Sequence, residues 1–145
     1  MKAMSGVWAG WALSQRYYRE RLYEGMGFKS SDNFQVDFWE AFWLRLDANN
    51  LLSQLHTWQT ADISLTPCYG GNLEKALGAI RTKAVLSPAE TDLNVPAADM
   101  AWEAQQMRDA ELRPIPGPFG HLSEVGIDPG CNSFLSESIR DLLAH

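Results

Sequence analysis

Cysteine is scarce in this 145-residue chain, which holds only Cys68 and Cys131. Two distant thiols cannot form a disulfide framework and match no metal-ligand spacing, so a reducing compartment and a cytoplasmic location are expected. Positive charge is also in short supply. Twelve Lys and Arg face 18 Asp and Glu, for a net charge of −6. No basic stretch is available to follow a phosphate backbone: Arg16, Arg19 and Arg21 are interspersed with Tyr17, Tyr18 and Glu20, as on a solvated helix face. Nucleic acid is therefore not an expected partner. Long apolar runs are missing too. The run Val7–Leu13 stops at Gln15-Arg16, far short of the ~20 residues of a membrane span and without a signal-peptide pattern. Neither export nor membrane insertion is expected.

Aromatic residues, by contrast, are plentiful. Six tryptophans and six phenylalanines suit a chain long enough to bury one sizeable core. The first half reads as helical. From Met4, the positions Val7, Trp8, Trp11, Tyr18 and Leu22 recur at helical intervals, and Gly25 and Gly27 supply a stop. Ser30-Ser31-Asp32 caps a second helix in which Phe34, Phe38 and Phe42 fall four apart. Trp39 and Trp43 flank that stripe, so the apolar face is wide and packing on two sides is expected. A third helix starts near Asp47, carries Leu51, Leu52, Leu55 and Trp58, and ends around Asp62. His56 reads as a packing residue, and Cys68, with no base beside it, as an inert thiol. Asn72 then caps a short helix over 73–80.

The chemistry gathers in the second half. Ala84-Val85-Leu86 is a compact apolar run of the kind a buried parallel strand shows, ending near Pro88. The loop that follows carries Glu90 and Asp92. Pro96 opens a helix whose Met100, Ala104 and Met107 can face a sheet. A second strand over about 111–115 holds Pro114 and Pro116, which assigns it to a sheet edge. It leads to Gly117-Pro118-Phe119-Gly120-His121, then a turn at Asp128-Pro129-Gly130 and a terminal amphipathic helix with Phe134, Leu135, Ile139, Leu142 and Leu143. An acid and a base thus follow successive parallel strands joined by one crossover helix, where open α/β sheets place their chemistry. A hydroxyl nucleophile needs a base to take its proton, and that base needs a carboxylate to fix its tautomer. His121 is the candidate base and Asp92 the candidate acid. Glu90 ranks second, because Asp92 lies deeper in the loop on a shorter side chain.

Ser87-Pro88-Ala89-Glu90-Thr91-Asp92-Leu93 and Pro118-Phe119-Gly120-His121 resemble the acid and histidine turns of the α/β-hydrolase superfamily. The closest likeness is to its homoserine O-acetyltransferase branch. Ala9–Gln15, Phe38-Trp39-Glu40 and Leu55–Ser64 are similar to the lid segments of that group. The resemblance covers essentially the whole chain. It implies a mostly helical α/β chain, the C-terminal part of an α/β-hydrolase fold: a helical lid over 1–71, then part of the core over 72–145 with two parallel strands. Asp92 and His121 would be the triad acid and base. The reaction would be acyl transfer or ester hydrolysis on a small-molecule acyl substrate, with no cofactor and no metal.

That fold requires a nucleophile on a Gly-x-Ser-x-Gly elbow upstream of the acid, with oxyanion donors beside it, and the sequence has no such motif. Ser5 lacks the flanking glycine, Ser14 lies in a helix, Ser87 sits on the acid strand, and Cys131 follows the histidine. The expectation is a truncated or partial enzyme, inactive alone, with much apolar surface exposed. The alternative is a non-catalytic interaction module that pairs through its lid helices with a complete homologue or with itself as a homodimer, along the Phe34, Phe38 and Phe42 stripe.

Overall fold

Side-chain caps mark where several of the helices begin. The computed structural model describes residues 1–144. It begins with α1 (Lys2–Ala12) and α2 (Gln15–Arg19), followed by a 3-10 turn at Leu22–Met26. The apolar spacing suggests continuous helix through this region, but the chain breaks at Leu13. Ser14 turns extended there, and its hydroxyl accepts the Tyr17 N–H as the cap of α2. The face of α1 that packs inward is the one with small residues, Ser5, Ala9 and Ala12, while Val7 and Trp11 are exposed.

The aromatic helix holds a feature that periodicity does not reveal. α3 (Ser31–Phe34) runs through a π-helical turn (Gln35–Glu40) into α4 (Ala41–Trp43). A π turn inserts one extra residue, so the buried set steps from Phe34 to Trp39 to Trp43 rather than along the fours. Phe38 is left half-buried, and Phe42 is 49% exposed. The Phe34–Phe38–Phe42 stripe is therefore split: Phe34 is fully enclosed and can face no partner.

α5 (Ala48–Thr60) is capped by Asp47, which accepts from the N–H groups of Asn49 and Asn50 at 2.9 and 3.0 Å. None of its residues is buried. A 3-10 turn at Ile63–Leu65 and the Asn72-capped α6 (Leu73–Gly78) lead to β1 (Ala84–Leu86). α7 (Ala97–Gln106) crosses over to β2 (Ala110–Leu112), and the strands run parallel with Ala84 opposite Ala110 and Leu86 opposite Leu112. The regular strands are shorter than 84–88 and 111–115, but the pairing continues past their ends. Arg113 and Ile115 donate to the carbonyls of Leu86 and Pro88, both at 2.8 Å, and Glu90 donates to Ile115. Pro114 and Pro116 fall on the alternate positions, so they remove donors only from the outer edge of β2. All three β1 residues are half-buried rather than enclosed. α8 (Pro129–Leu143) begins with Pro129 in its first turn under an Asp128 cap, where the sequence reads as a separate turn.

Two apolar clusters result. The larger joins α1, α2 and the α3–α4 stretch around Tyr17, Phe34, Trp39 and Trp43, and the smaller joins Ala89, Ile115 and Cys131 below α8. Phe119 packs against both, one residue before Gly120. The histidine turn sits at their junction.

Candidate active site

The Ala89–Asp92 turn and the Gly117–His121 turn leave adjacent parallel strands on the same side, which brings Asp92 and His121 together. His121 Nδ1 and Asp92 Oδ2 lie 2.9 Å apart. A carboxylate can only accept, so Nδ1–H donates; in the neutral ring this tautomer leaves the lone pair on Nε2, the form a general base needs. The Asp92 side chain is 1% exposed against 33% for the His121 side chain. A buried carboxylate is costly unless its lone pairs are engaged. Oδ1 accepts the Asn94 N–H at 2.7 Å and the Val95 N–H at 3.2 Å, and Oδ2 takes the imidazole. Glu90 is exposed, and its backbone N–H belongs to the strand ladder; the acid beside the histidine is Asp92.

The histidine turn is held from two directions. Ser14 Oγ–H donates to the Pro118 carbonyl at 2.6 Å, so the cap of α2 also ties the first helices to this turn. Thr91 Oγ1–H donates to the Gly117 carbonyl at 2.8 Å and accepts the Gly120 N–H at 3.2 Å. Gly120 has φ +52, and a Cβ there would come 2.7 Å from the Ala12 carbonyl oxygen. Only glycine meets both conditions. The Trp8 and His121 rings meet in a T-shaped contact with centroids 5.8 Å apart, and Trp8 makes a second T-shaped contact with Trp43.

His121 opens into a cavity of about 560 Å³. Trp8, Phe38, Phe42, Leu55 and Trp58 are among its walls, and among the described residues Gln54 and His121 bring polar side chains to a lining that is otherwise apolar or aromatic. The π turn places Phe38 and Phe42 there, and α5 turns Leu51, Leu55 and Trp58 toward it at helical spacing. The sequence signals for these walls were present in the aromatic and leucine spacings, although they read as core. Ser14, Thr91 and Gly120 carried no signal beyond their type. Glu124 also approaches: its carboxylate, one Asp92 oxygen and one His121 nitrogen lie within 4.8 Å of one another, with Glu124 exposed. No helix among the described residues is long and apolar enough to cross a membrane.

His56 is exposed on α5. Cys68 is exposed and Cys131 buried. Burial, aided by the Asp128 carboxylate, pushes the Cys131 thiol above its usual range, the reverse of an activated nucleophile.

The mostly helical architecture with two parallel strands is a partial α/β fold, and it is shared with esterases. The chain superposes on the acetyl esterase MekB with a TM-score of 0.94 at 28% identity, covering 99% of this chain and 41% of that one. It superposes equally, at 26% identity, on an acetylester hydrolase from Corynebacterium glutamicum, again over 99% of this chain and 41% of the other. Among curated proteins, it is 30% identical to the ethyl acetate hydrolase of Pseudomonas veronii over 138 residues, 95% of this chain and 39% of that protein. It is 26% identical over 142 residues to a protein of C. glutamicum named a probable esterase, 98% of this chain and 40% of the relative. The chain thus spans about 40% of the length of the curated relatives it matches. No protein-family profile matches it.

Proposed function

We propose that this chain supplies the lid, the acid and the base of an acyl-ester hydrolase, with Asp92 and His121 serving a hydroxyl nucleophile carried by a further unit of the catalytic assembly. The observation that carries this reading is the 2.9 Å bond between a buried, fully engaged carboxylate and a half-exposed imidazole at the mouth of an apolar cavity. In the reaction, His121 Nε2 takes the hydroxyl proton as the acyl carbon is attacked. It later returns that proton to the leaving alcohol, and then activates the water that releases the acid. Asp92 holds the tautomer and balances the imidazolium.

Hydrolysis fits the site better than acyl transfer to homoserine. Among the described residues, no side chain with a permanent charge lines the cavity, so the ammonium and carboxylate of an amino-acid acceptor would be desolvated there without partners. The anionic phosphates of an acyl-CoA donor would face the same difficulty. Uncharged esters and water suit the walls. The names of the relatives, acetyl esterase and ethyl acetate hydrolase, support the same substrate type.

The nucleophile unit docks, in this reading, along the outer edge of β1. Two prolines close the outer edge of β2, while the Val85 and Ser87 backbone groups on the other side of β1 are free for a neighbouring strand. Purified chain assayed with p-nitrophenyl acetate should show no His121-dependent turnover. Robust hydrolysis that disappears in His121→Ala would refute the need for a second unit.

A second reading is kept because the outward lid surface is apolar. Leu52, Ile63 and Leu65 are more than half exposed, and pairing of two copies through this surface would cover them. Substituting Leu52 and Leu65 by Ser should then abolish any dimer seen by sedimentation; an unchanged sedimentation profile would dismiss lid pairing.

A further inference from the structure

We propose that Thr91 is the positioning residue that sets the register between the acid turn and the histidine turn. This deepens the catalytic reading of Asp92 and His121 and rests on it. Thr91 immediately precedes Asp92, so its backbone moves with the acid. Its hydroxyl reaches across to the opposite turn and touches both ends of it, donating to the Gly117 carbonyl at 2.8 Å and accepting from the Gly120 N–H at 3.2 Å. Gly117 and Gly120 both adopt positive φ, at 118° and 52°. A turn closed by two glycines has a wide choice of conformations, and without a tie it would carry His121 through many of them. One hydroxyl supplies both a donor and an acceptor, which no aliphatic side chain of the same shape can do.

The second tie to this turn, Ser14 to the Pro118 carbonyl, runs to the first helices. It fixes the turn against the lid and leaves the acid untouched. Thr91 alone links the Asp92 turn to the Gly120 N–H, one residue before the histidine. Proton transfer is sensitive to placement on the scale of 1 Å, with losses of about 100-fold, so a single side-chain clamp next to the acid has a catalytic consequence.

The test uses the full chain labelled with 15N-histidine. Wild type should show a downfield, slowly exchanging Nδ1–H resonance from His121, absent in Asp92→Ala. Thr91→Ser keeps both hydrogen bonds and should retain that resonance, while Thr91→Val, equal in shape, should broaden or lose it with the thermal transition little changed. A Thr91→Val spectrum matching wild type in position and width would overturn the proposal. If Thr91→Val does not fold, amide exchange in wild type decides: Gly120 should exchange at least about tenfold slower than its intrinsic rate, and exchange at the intrinsic rate would overturn the clamp. In the completed enzyme, Thr91→Val should lower kcat about 100-fold with KM unchanged, and Thr91→Ser should recover most of it. A completed enzyme that folds but lacks hydrolytic activity, combined with the expected spectra, would count against the catalytic reading and leave the clamp standing.

Discussion

Asp92 has three hydrogen-bond donors around it and almost no contact with water. Its role beside His121 sets the first expectation at the residue scale. In a completed enzyme, Asp92→Asn should lower kcat about 10,000-fold by releasing the tautomer, with the helical structure retained; steady-state kinetics on an uncharged acetate ester would measure it. Gly120 offers an independent check. Gly120→Ala forces a side chain into a left-handed backbone and against the Ala12 carbonyl. A loss of about 2 kcal/mol or more is expected in urea unfolding, and an unchanged midpoint would show that α1 does not press on this turn. The two thiols should separate cleanly: at pH 8, iodoacetamide should modify exposed Cys68 well before Cys131. A thiol whose pKa is raised in the folded state keeps a proton that the unfolded chain releases. Its stabilising effect is thus complete below about pH 8.5 and falls away as the pH climbs toward the folded value.

At the scale of elements, capping residues were the most legible part of the sequence. Ser30, Asp47 and Asn72 all cap the helices their types and positions imply, because a short polar side chain before an apolar-periodic stretch has few other uses. The acid and histidine turns were legible for a similar reason, since strand ends are marked by proline and glycine. The π turn at Gln35–Glu40 was not. Its effect is to shift the buried set by one residue, and a stripe of aromatics at spacing four reads equally well either way. The cavity walls that depend on it, Phe38 and Phe42, therefore read from sequence alone as core or partner-helix packing residues. The break at Leu13 was hidden by the same cause, a run of tryptophans and tyrosines whose periodicity survives an interruption.

α5 is weakly held. It has no buried residue, yet Leu51, Leu55 and Trp58 wall the cavity. Few buried contacts make a segment open at low cost. Its amides should therefore exchange well ahead of those in α1. Asp47→Ala removes a cap worth about 1 kcal/mol and should speed that exchange severalfold without moving the global transition. Protection in α5 equal to that of α1 would contradict this.

Considered whole, the molecule has more surface than its size requires. Its accessible area is 9317 Å², whereas a compact monomer of 16.3 kDa would expose about 7,500 Å². The excess is comparable to what one partner contributes to an extensive interface. Much of it is apolar: Trp102, Ile139 and Leu143 on α7 and α8 are exposed, beside a sheet with one open edge. Such a surface should bind an apolar fluorescent dye and drive concentration-dependent association in the ultracentrifuge. A monodisperse monomer with no dye signal would contradict this.

The most direct measurement replaces the matching segment of the Pseudomonas veronii ethyl acetate hydrolase with this chain and follows ethyl acetate hydrolysis by the chimera. Turnover is expected, and His121→Ala should remove it by about a million-fold in kcat. A folded chimera that hydrolyses the ester equally well with alanine at position 121 would contradict the assignment of His121 as the base.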